Sequence, residues 1–168
     1  TILEDGSHTF SASDFGFTDP NDSLSPNSLA GVKITTLPAS GTLQLSGVDV
    51  TVGQLISVID IGNLVYTPSA NSNGTGYADF TFQVQDDGGT ANGGVDLDQT
   101  PNTITVDVTA VNDAPAGADK TVTTLEDTGY TFSTSDFGFT DTSDSPANAL
   151  SNVKITTLPA AGSLTLSG

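Results

Sequence analysis

Residues 102–109 read NTITVDVT, and this stretch decides the fold class. Ile104, Val106 and Val108 alternate with polar residues, which is the period of two expected for a half-buried β-strand. The same alternation occurs in DFTFQVQ, residues 79–85. No segment shows the helical period over about ten residues, so the sequence predicts an all-β chain.

Turn-forming residues separate the predicted strands. PASG at 38–41 joins two of them, and a further turn is predicted around ANSNG at 70–74. GQLISVIDIG, residues 53–62, is the one segment with an ambiguous pattern, and we interpret it as a strand that ends in a tight turn. Residues 86–101 are acidic and Gly-rich and are predicted as an irregular, flexible loop. Roughly seven short strands at this spacing predict a β-sandwich. The predicted core residues are Ile34, Leu43, Leu45, Tyr66, Phe80, Phe82, Ile104 and Val106.

The chain also repeats itself. LEDGSHTFSASDFGFTDPNDS from Leu3 returns as LEDTGYTFSTSDFGFTDTSDS from Leu125, an offset of 122 (125 − 3). VKITTLPASGTLQLSG from Val32 returns as VKITTLPAAGSLTLSG from Val153, an offset of 121 (153 − 32). A period of about 120 residues fits a whole small domain and is too long for a solenoid unit.

This period predicts a tandem array. Pro115 cannot donate to a strand ladder and favours an extended residue before it, so we place the domain boundary there. Residues 119–125 are predicted as the first strand of the second copy, which is not expected to fold alone. The predicted organisation is a complete repeat over 1–113, a linker over 114–118 and the N-terminal part of a second repeat over 119–168.

The charge balance excludes several classes of function. The chain has 20 Asp and Glu against 3 Lys and Arg, a net charge of −17, which excludes nucleic acid as a partner. A compact state at this charge repels itself unless cations are bound. There is no Cys, and no apolar stretch reaches membrane-spanning length, so neither disulfides nor membrane insertion is predicted. His8 is the only histidine and Tyr130 replaces it in the second copy, so no enzyme is predicted.

The acidic residues cluster where the predicted strands end. Several strand ends of a sandwich can meet at one pole, and hard oxygen ligands are what Ca²⁺ requires, about six to eight of them. Mg²⁺ demands a tighter octahedral cage, which suits flexible loops less well. Asp14 and Asp136 precede Phe-Gly-Phe and are predicted to form turns or caps instead. The clusters are Glu4-Asp5, Asp19 with Asp22, Asp86-Asp87, and Asn112-Asp113.

The chain resembles the cadherin-like tandem repeats of giant bacterial surface proteins and adhesins. The resemblance lies in LED, DFGFTD, VKITTLPASGTLQLSG, GNLVYTPSANSNGTGYADFTFQVQDDGG and TVDVTAVNDAP. The portion LPASGTL…YTP…FTFQVQD is also similar to the repeats of chondroitin sulfate proteoglycan ectodomains. VNDAP, at 111–115, is the most specific piece, because it resembles the inter-domain calcium motif of cadherins. The resemblance implies a Greek-key β-sandwich of the cadherin or immunoglobulin type.

The resemblance also implies a calcium site at the junction of two repeats. In the family, a glutamate near the end of the first strand, acidic residues of a late loop, an Asn-Asp linker and two aspartates of the next domain share calcium. The family's linker often carries an aspartate two positions before the Asn, where this chain has Ala110, so we expect one ion rather than three. Carried over to this chain, the implied ligands are Glu4, Asp86, Asp87, Asn112, Asp113, Asp141 and Asp144.

The predicted function is therefore structural: a calcium-stabilised extender repeat of a secreted or cell-surface adhesin or matrix protein. Its expected partners are neighbouring repeats and other copies of the chain, with a glycan or cell-surface partner reached through other domains. One alternative is a carbohydrate- or protein-binding module, for which Tyr77 and the loop 86–101 are the candidates. The other is a subunit of a self-assembling extracellular filament, in which a neighbouring chain completes the second copy.

Overall fold

A computed structural model describes residues 1–20 and 25–166. Asp22, one of the acidic residues noted in the sequence, lies outside the described residues. The chain divides into two compact units, Thr1–Val111 and Asn112–Gly168. No helix in the described part of the chain has the length and apolar character needed to cross a membrane.

The first unit is built from short strands, as the alternating sequence predicts. Short 3₁₀ helices lie at Ala12–Phe15, Ile61–Asn63 and Ala91–Gly93, and the described residues include no α-helix. The all-β prediction is confirmed. In chain order the strands are β1 (Ile2–Leu3), β2 (His8–Thr9), β3 (Leu29–Ile34), β4 (Thr42–Leu45), β5 (Val48–Asp49), β6 (Leu55–Ser57), β7 (Leu64–Thr67), β8 (Gly74–Asp86) and β9 (Asn102–Thr109).

These strands form two sheets. One has five strands in the order β1-β9-β8-β3-β6, and the other has four in the order β2-β7-β4-β5. β1 runs parallel to β9, with Ile2 opposite Val108, and the other pairings are antiparallel. The chain therefore passes from the first sheet to the second between Leu3 and His8.

One hydrophobic core draws residues from both sheets. The ring of Phe10, which follows β2, meets Phe80 of β8 edge-to-face with centroids 5.6 Å apart. Phe15 meets Phe82 in the same way at 4.9 Å. The predicted core is confirmed, because alternating apolar residues of the strands do face inward. Six of its members are buried, and Leu45 and Ile104 are partly buried against the same cluster.

Two predicted connections also have a definite structure. Residues 53–62 contain β6 and the start of the 3₁₀ turn Ile61–Asn63, as expected for a strand that ends in a tight turn. The loop after β8 is irregular, as predicted, but backbone hydrogen bonds attach it to the sheet. The N–H of Asp86 donates to Asp96 O at 2.8 Å, and that of Asp98 donates to Val84 O at 2.9 Å.

The second unit has little regular structure. Its elements are a 3₁₀ helix at Thr134–Phe137 and an isolated antiparallel bridge between Ala116 and Thr140. The predicted strand over 119–125 is wrong, since those residues form no strand. Residues 150–155, the equivalent of β3, are not a strand either. A strand needs neighbouring strands to satisfy its backbone groups, and within 112–166 the described residues supply no ladder.

Candidate metal centre

The seven predicted ligands fall into two groups. Glu4, Asp86 and Asp87 belong to the first unit, and the other four to the second. Within each unit the structure shows which oxygens are already hydrogen-bonded and which are open to a cation.

Glu4 is a buried carboxylate, only 2% exposed. It follows β1, and its backbone N–H donates to Thr109 O at 3.0 Å. Its Oε1 accepts the backbone N–H of Val111 at 2.6 Å, and its Oε2 accepts Nδ2 of Asn73 at 3.0 Å. Glu4 therefore fastens the end of β1 to the loop before β8 and to the residues after β9.

Asp86 and Asp87 lie at the opposite end of β8 from Glu4. β8 runs through 13 residues, and its first residue, Gly74, pairs with Val108, the partner of Ile2. At roughly 3.3 Å per residue the two ends of β8 are about 40 Å apart. The structure therefore does not bring Asp86 and Asp87 to Glu4.

Local bonds account for both aspartates. Oδ1 of Asp86 accepts the N–H of Gly88 at 2.8 Å, which is a turn of the Asx type. Oδ1 of Asp87 accepts the N–H of Ser28 at 2.7 Å, and its own N–H donates to Ser28 O at 3.0 Å. These bonds tie the loop after β8 to the residue before β3.

The predicted ligands of the second unit do come together. Oδ2 of Asp141 accepts the backbone N–H of Asn148 at 2.7 Å. Oδ1 of Asp144 accepts the N–H of Asp113 at 3.0 Å, and its Oδ2 accepts Nδ2 of Asn148 at 2.9 Å. The same Nδ2 also donates to Oδ1 of Asn112 at 2.9 Å. Carboxylate oxygens of Asp113 and Asp144 lie within 4.8 Å of each other.

Asp141 carries the clearest sign that a cation could bind here. Its side chain is 7% exposed, and its Oδ1 is buried without a hydrogen-bond donor among the described residues. Burying a charged oxygen without compensation is costly, so such an atom calls for a positive partner. Asp141 lines a pocket of about 350 Å³ together with Asn112, Asp113 and Asn148. The polar groups of these four side chains are carboxylates and carboxamides, and their oxygens are suitable ligands for a hard cation.

A capped turn positions Asp141. The 3₁₀ helix Thr134–Phe137 begins after Ser133, whose N–H and hydroxyl donate to Oδ2 of Asp136 at 2.8 and 2.9 Å. Gly138 then adopts the left-handed conformation with φ 55°, and a Cβ there would lie 2.6 Å from Cβ of Ala118. The chain can therefore turn closely at this glycine and continue through Phe139 to Asp141.

Asp136 itself already has a cation. The ammonium of Lys120 donates to Oδ1 of Asp136 at 2.6 Å and holds the pKa of that carboxyl well below its usual range. The two bonds from Ser133 lower the pKa further, and burial opposes them. Asp136 is a capping residue, as the sequence predicts. It also has its own counter-ion in Lys120 and is not part of the candidate centre.

The first unit repeats two of these bonds at equivalent positions. Oδ2 of Asp19 accepts the N–H of Asn27 at 2.7 Å, the same bond at the same length as between Asp141 and Asn148. Oδ2 of Asp14 likewise accepts the N–H of Ser11 at 2.7 Å. Sequence reasoning missed Asn148. The repeat did contain a signal for this residue, because asparagine occurs at the equivalent positions 27 and 148. These positions lie close to the point where the offset between the copies changes from 122 to 121.

A second acidic feature lies wholly in the first unit. A groove of about 800 Å³ is lined by Asp14, Asp19, Asp86, Asp96 and Asp98 above Phe15 and Phe82. The loop aspartates are bonded within the groove wall: Asp98 accepts from the N–H of Thr100 at 3.0 Å and from Nδ2 of Asn102 at 2.7 Å. Tyr77, the other residue considered for sugar binding, is half-buried and packs against the core.

No protein-family model, curated protein or solved structure matches the chain.

Proposed function

We propose that this chain is a non-catalytic, calcium-stabilised structural repeat of an extracellular adhesin or matrix protein. The observation that carries the proposal is the buried, donor-free Oδ1 of Asp141 beside Asp113 and Asp144. In a chain of net charge −17, three carboxylates in one small region repel one another unless a cation is bound.

Calcium fits the available groups better than other metals do. The candidate ligands are carboxylate and amide oxygens, which are the hard donors that Ca²⁺ prefers, and the chain has no cysteine. The ligands would come from the irregular segments 112–113 and 141–144, which favours the flexible coordination of Ca²⁺ over the octahedral cage of Mg²⁺. Asn148 is assigned a positioning role, because its N–H and Nδ2 hold Asp141, Asp144 and Asn112.

The family resemblance implies a wider ligand set, and its members lie in different parts of the chain. Glu4 stays a predicted ligand. In the first unit its carboxylate also accepts hydrogen bonds from Val111 and Asn73. Asp86 and Asp87 are left out of the proposed centre, because β8 separates them from the Glu4 end of the first unit. Asn112 stays in the set through its amide oxygen.

The architecture supports the structural role. Two sheets of five and four strands share one core, which is the arrangement expected of a Greek-key sandwich of the cadherin or immunoglobulin type. The expected partners are then neighbouring repeats and further copies of the chain outside the cell. Extracellular calcium modules bind at about 10⁻⁴–10⁻³ M, and at one hundred times Kd the gain is about 2.7 kcal/mol per site. Such a gain is large against a typical domain stability of about 5–15 kcal/mol.

Calcium titration of the 168-residue chain tests the proposal. We expect a saturable heat of binding, together with amide shifts at Asp113, Asp141 and Asn148 in NMR spectra. Magnesium chloride at equal ionic strength is the control, since general screening of the −17 charge would respond to both salts alike. Equal responses to both salts, or no shift at these three amides, would rule out the proposed centre.

A further inference from the structure

The chain contains two Asn-Gly pairs, Asn73-Gly74 and Asn92-Gly93, and both lie in the first unit. An asparagine that precedes glycine can lose its side-chain amide spontaneously, because glycine has no Cβ to hinder ring closure through its backbone nitrogen. The reaction requires a side chain that is free to move and a backbone that can bend toward it. The structure shows that the two pairs differ in both respects.

Asn73 is held on both sides of the bond that would react. Its side chain is half-buried, and its Nδ2 donates to Oε2 of the buried Glu4 at 3.0 Å. Gly74 is the first residue of β8 and pairs with Val108 of β9. Ring closure at Asn73 must therefore break a bond to a buried carboxylate and disturb the end of a strand ladder, so the site reacts only when it opens locally.

Asn92 lies on an exposed turn in the loop after β8. Asn92, Gly93 and Gly94 are all exposed, and among the described residues the side-chain amide of Asn92 has no hydrogen-bond partner. The backbone of Asn92 is left-handed, with φ 56° and ψ 26°, and Gly93 follows with φ 84°. Two successive glycines permit a wide range of backbone conformations, so this turn can reach the geometry of ring closure without opening a sheet.

We propose that Asn92 is a site of spontaneous modification and that Glu4 protects Asn73 from the same reaction. The backbone nitrogen of Gly93 loses its proton to solvent and attacks Cγ of Asn92, which forms a C–N bond. The bond from Cγ to Nδ2 breaks, and Nδ2 takes a proton from solvent and leaves as ammonia. Water then opens the cyclic imide at either carbonyl carbon and leaves an aspartyl or an isoaspartyl residue. The reaction needs no oxidant, reductant or enzyme.

The modification changes both the charge and the backbone of the loop. Residues 86–98 contain four Asp and no Lys or Arg, and one more carboxylate takes the net charge of the chain to −18 (−17 − 1). An isoaspartyl linkage also adds a methylene to the main chain, inside the segment that Asp86 N–H closes by donating to Asp96 O at 2.8 Å. Both changes lie in the first unit, so they are independent of the proposed calcium centre.

The experiment incubates the folded 168-residue chain at mildly alkaline pH in water enriched in heavy oxygen, followed by peptide mass spectrometry. We expect Asn92 to lose ammonia and take up one heavy oxygen atom. Reaction at Asn73 should be about 100-fold slower, because a protected site reacts only in its open state. Anion-exchange chromatography should separate the modified chain by its additional negative charge. Asn92→Gln keeps a carboxamide but requires a larger ring, so this control variant should show almost no reaction at position 92.

The protection of Asn73 has its own test. Glu4→Ala removes the acceptor of Nδ2, so reaction at Asn73 should accelerate about tenfold or more, while Asn92 in the same molecules keeps its rate. Gly41→Ala is the matched control, because it introduces a clash with Thr67 O and destabilises the first unit without touching Glu4. It should leave Asn73 protected.

Three results would overturn the proposal. The first is an absence of heavy-oxygen uptake at Asn92, and the second is equal rates at Asn73 and Asn92 in the folded chain. The third is a difference between the two sites that persists in urea, since the unfolded chain should modify both Asn-Gly pairs at similar rates. Equal acceleration at Asn73 in Glu4→Ala and Gly41→Ala would refute the protective role of Glu4.

Discussion

The backbone N–H of Asn148 donates to Oδ2 of Asp141 at 2.7 Å, and this bond defines the candidate centre. It fixes the carboxylate in one orientation, so that Oδ1 points into a buried position without a donor among the described residues. The equivalent bond between Asn27 and Asp19 has the same length, which shows that the turn is encoded by the repeat itself.

Asp141→Asn should separate the role of this side chain as a hydrogen-bond acceptor from its role as a charged calcium ligand. The amide keeps an oxygen for the N–H of Asn148 but loses the charge, so calcium binding should weaken by about tenfold or more. Without calcium the variant should be at least as stable as the parent chain, because an uncompensated buried charge has gone. Isothermal titration calorimetry and melting in chelator measure the two effects. Asp119→Asn, at an exposed position of the same unit, is the control and should leave both unchanged.

Glu4→Ala should destabilise the first unit by about 2–4 kcal/mol, because it leaves the N–H of Val111 and the amide of Asn73 without their charged acceptor. Urea unfolding in the presence of chelator isolates this effect from metal binding. Asp5→Ala removes a neighbouring exposed carboxylate and should cost little. A loss that is similar for both variants would mean that net charge, and not the bonds of Glu4, sets the stability.

Gly41→Ala should cost about 2–4 kcal/mol. Gly41 has φ 74°, and a Cβ there would lie 2.5 Å from Thr67 O and 2.6 Å from the hydroxyl of Tyr66. Gly47 has a similar φ of 79° but nothing within 4 Å of the added carbon, so Gly47→Ala should cost only about 1 kcal/mol. Chemical denaturation of the two variants compares backbone strain alone with strain plus a steric clash.

Tyr66 makes the first unit sensitive to alkaline pH. Its side chain is fully buried and donates to Ser40 O at 2.8 Å, and burial raises the pKa of the hydroxyl to about 12, with a smaller contribution from Tyr77. The unfolded pKa is about 10, so the folded state holds the proton more tightly. The resulting stabilisation is complete below about pH 10 and is lost as the pH rises through about 12. Urea titrations between about pH 10 and 12 should show that the free energy of unfolding falls as the pH rises. This pH dependence should be weaker in Tyr66→Phe.

The sequence predicted the class of fold because its signal is local. The alternation of apolar and polar residues along β8 and β9 identifies the side chains that face inward. Ile34, Tyr66 and Phe80 are buried as expected. β1 and β2 are only two residues each, too short to show any period. The strand expected at 119–125 failed for a different reason: a favourable local sequence forms no ladder without a neighbouring strand.

The candidate site was predicted in part. The signal for Asp141 and Asp144 lay in the repeat and in the resemblance, and the structure places both near Asp113 within the second unit. The separation of Asp86 from Glu4 could not be anticipated, because it depends on the length of β8 and on which end of it meets β1. Asn148 was missed because its contribution is a backbone N–H and a side-chain amide, which no acidic motif reveals.

The parallel pairing of β1 with β9 has a mechanical consequence. Tension applied to the two ends of the first unit pulls these neighbouring strands in opposite directions along their length. The bonds around Ile2, Leu3 and Glu4 are then loaded in shear and must break together, whereas an antiparallel pair pulled from one end would unzip bond by bond. Single-molecule stretching should find a high rupture force that falls in Glu4→Ala. With Glu4 bonded to both Thr109 and Val111, the first few residues of the unit act as a force-bearing clamp.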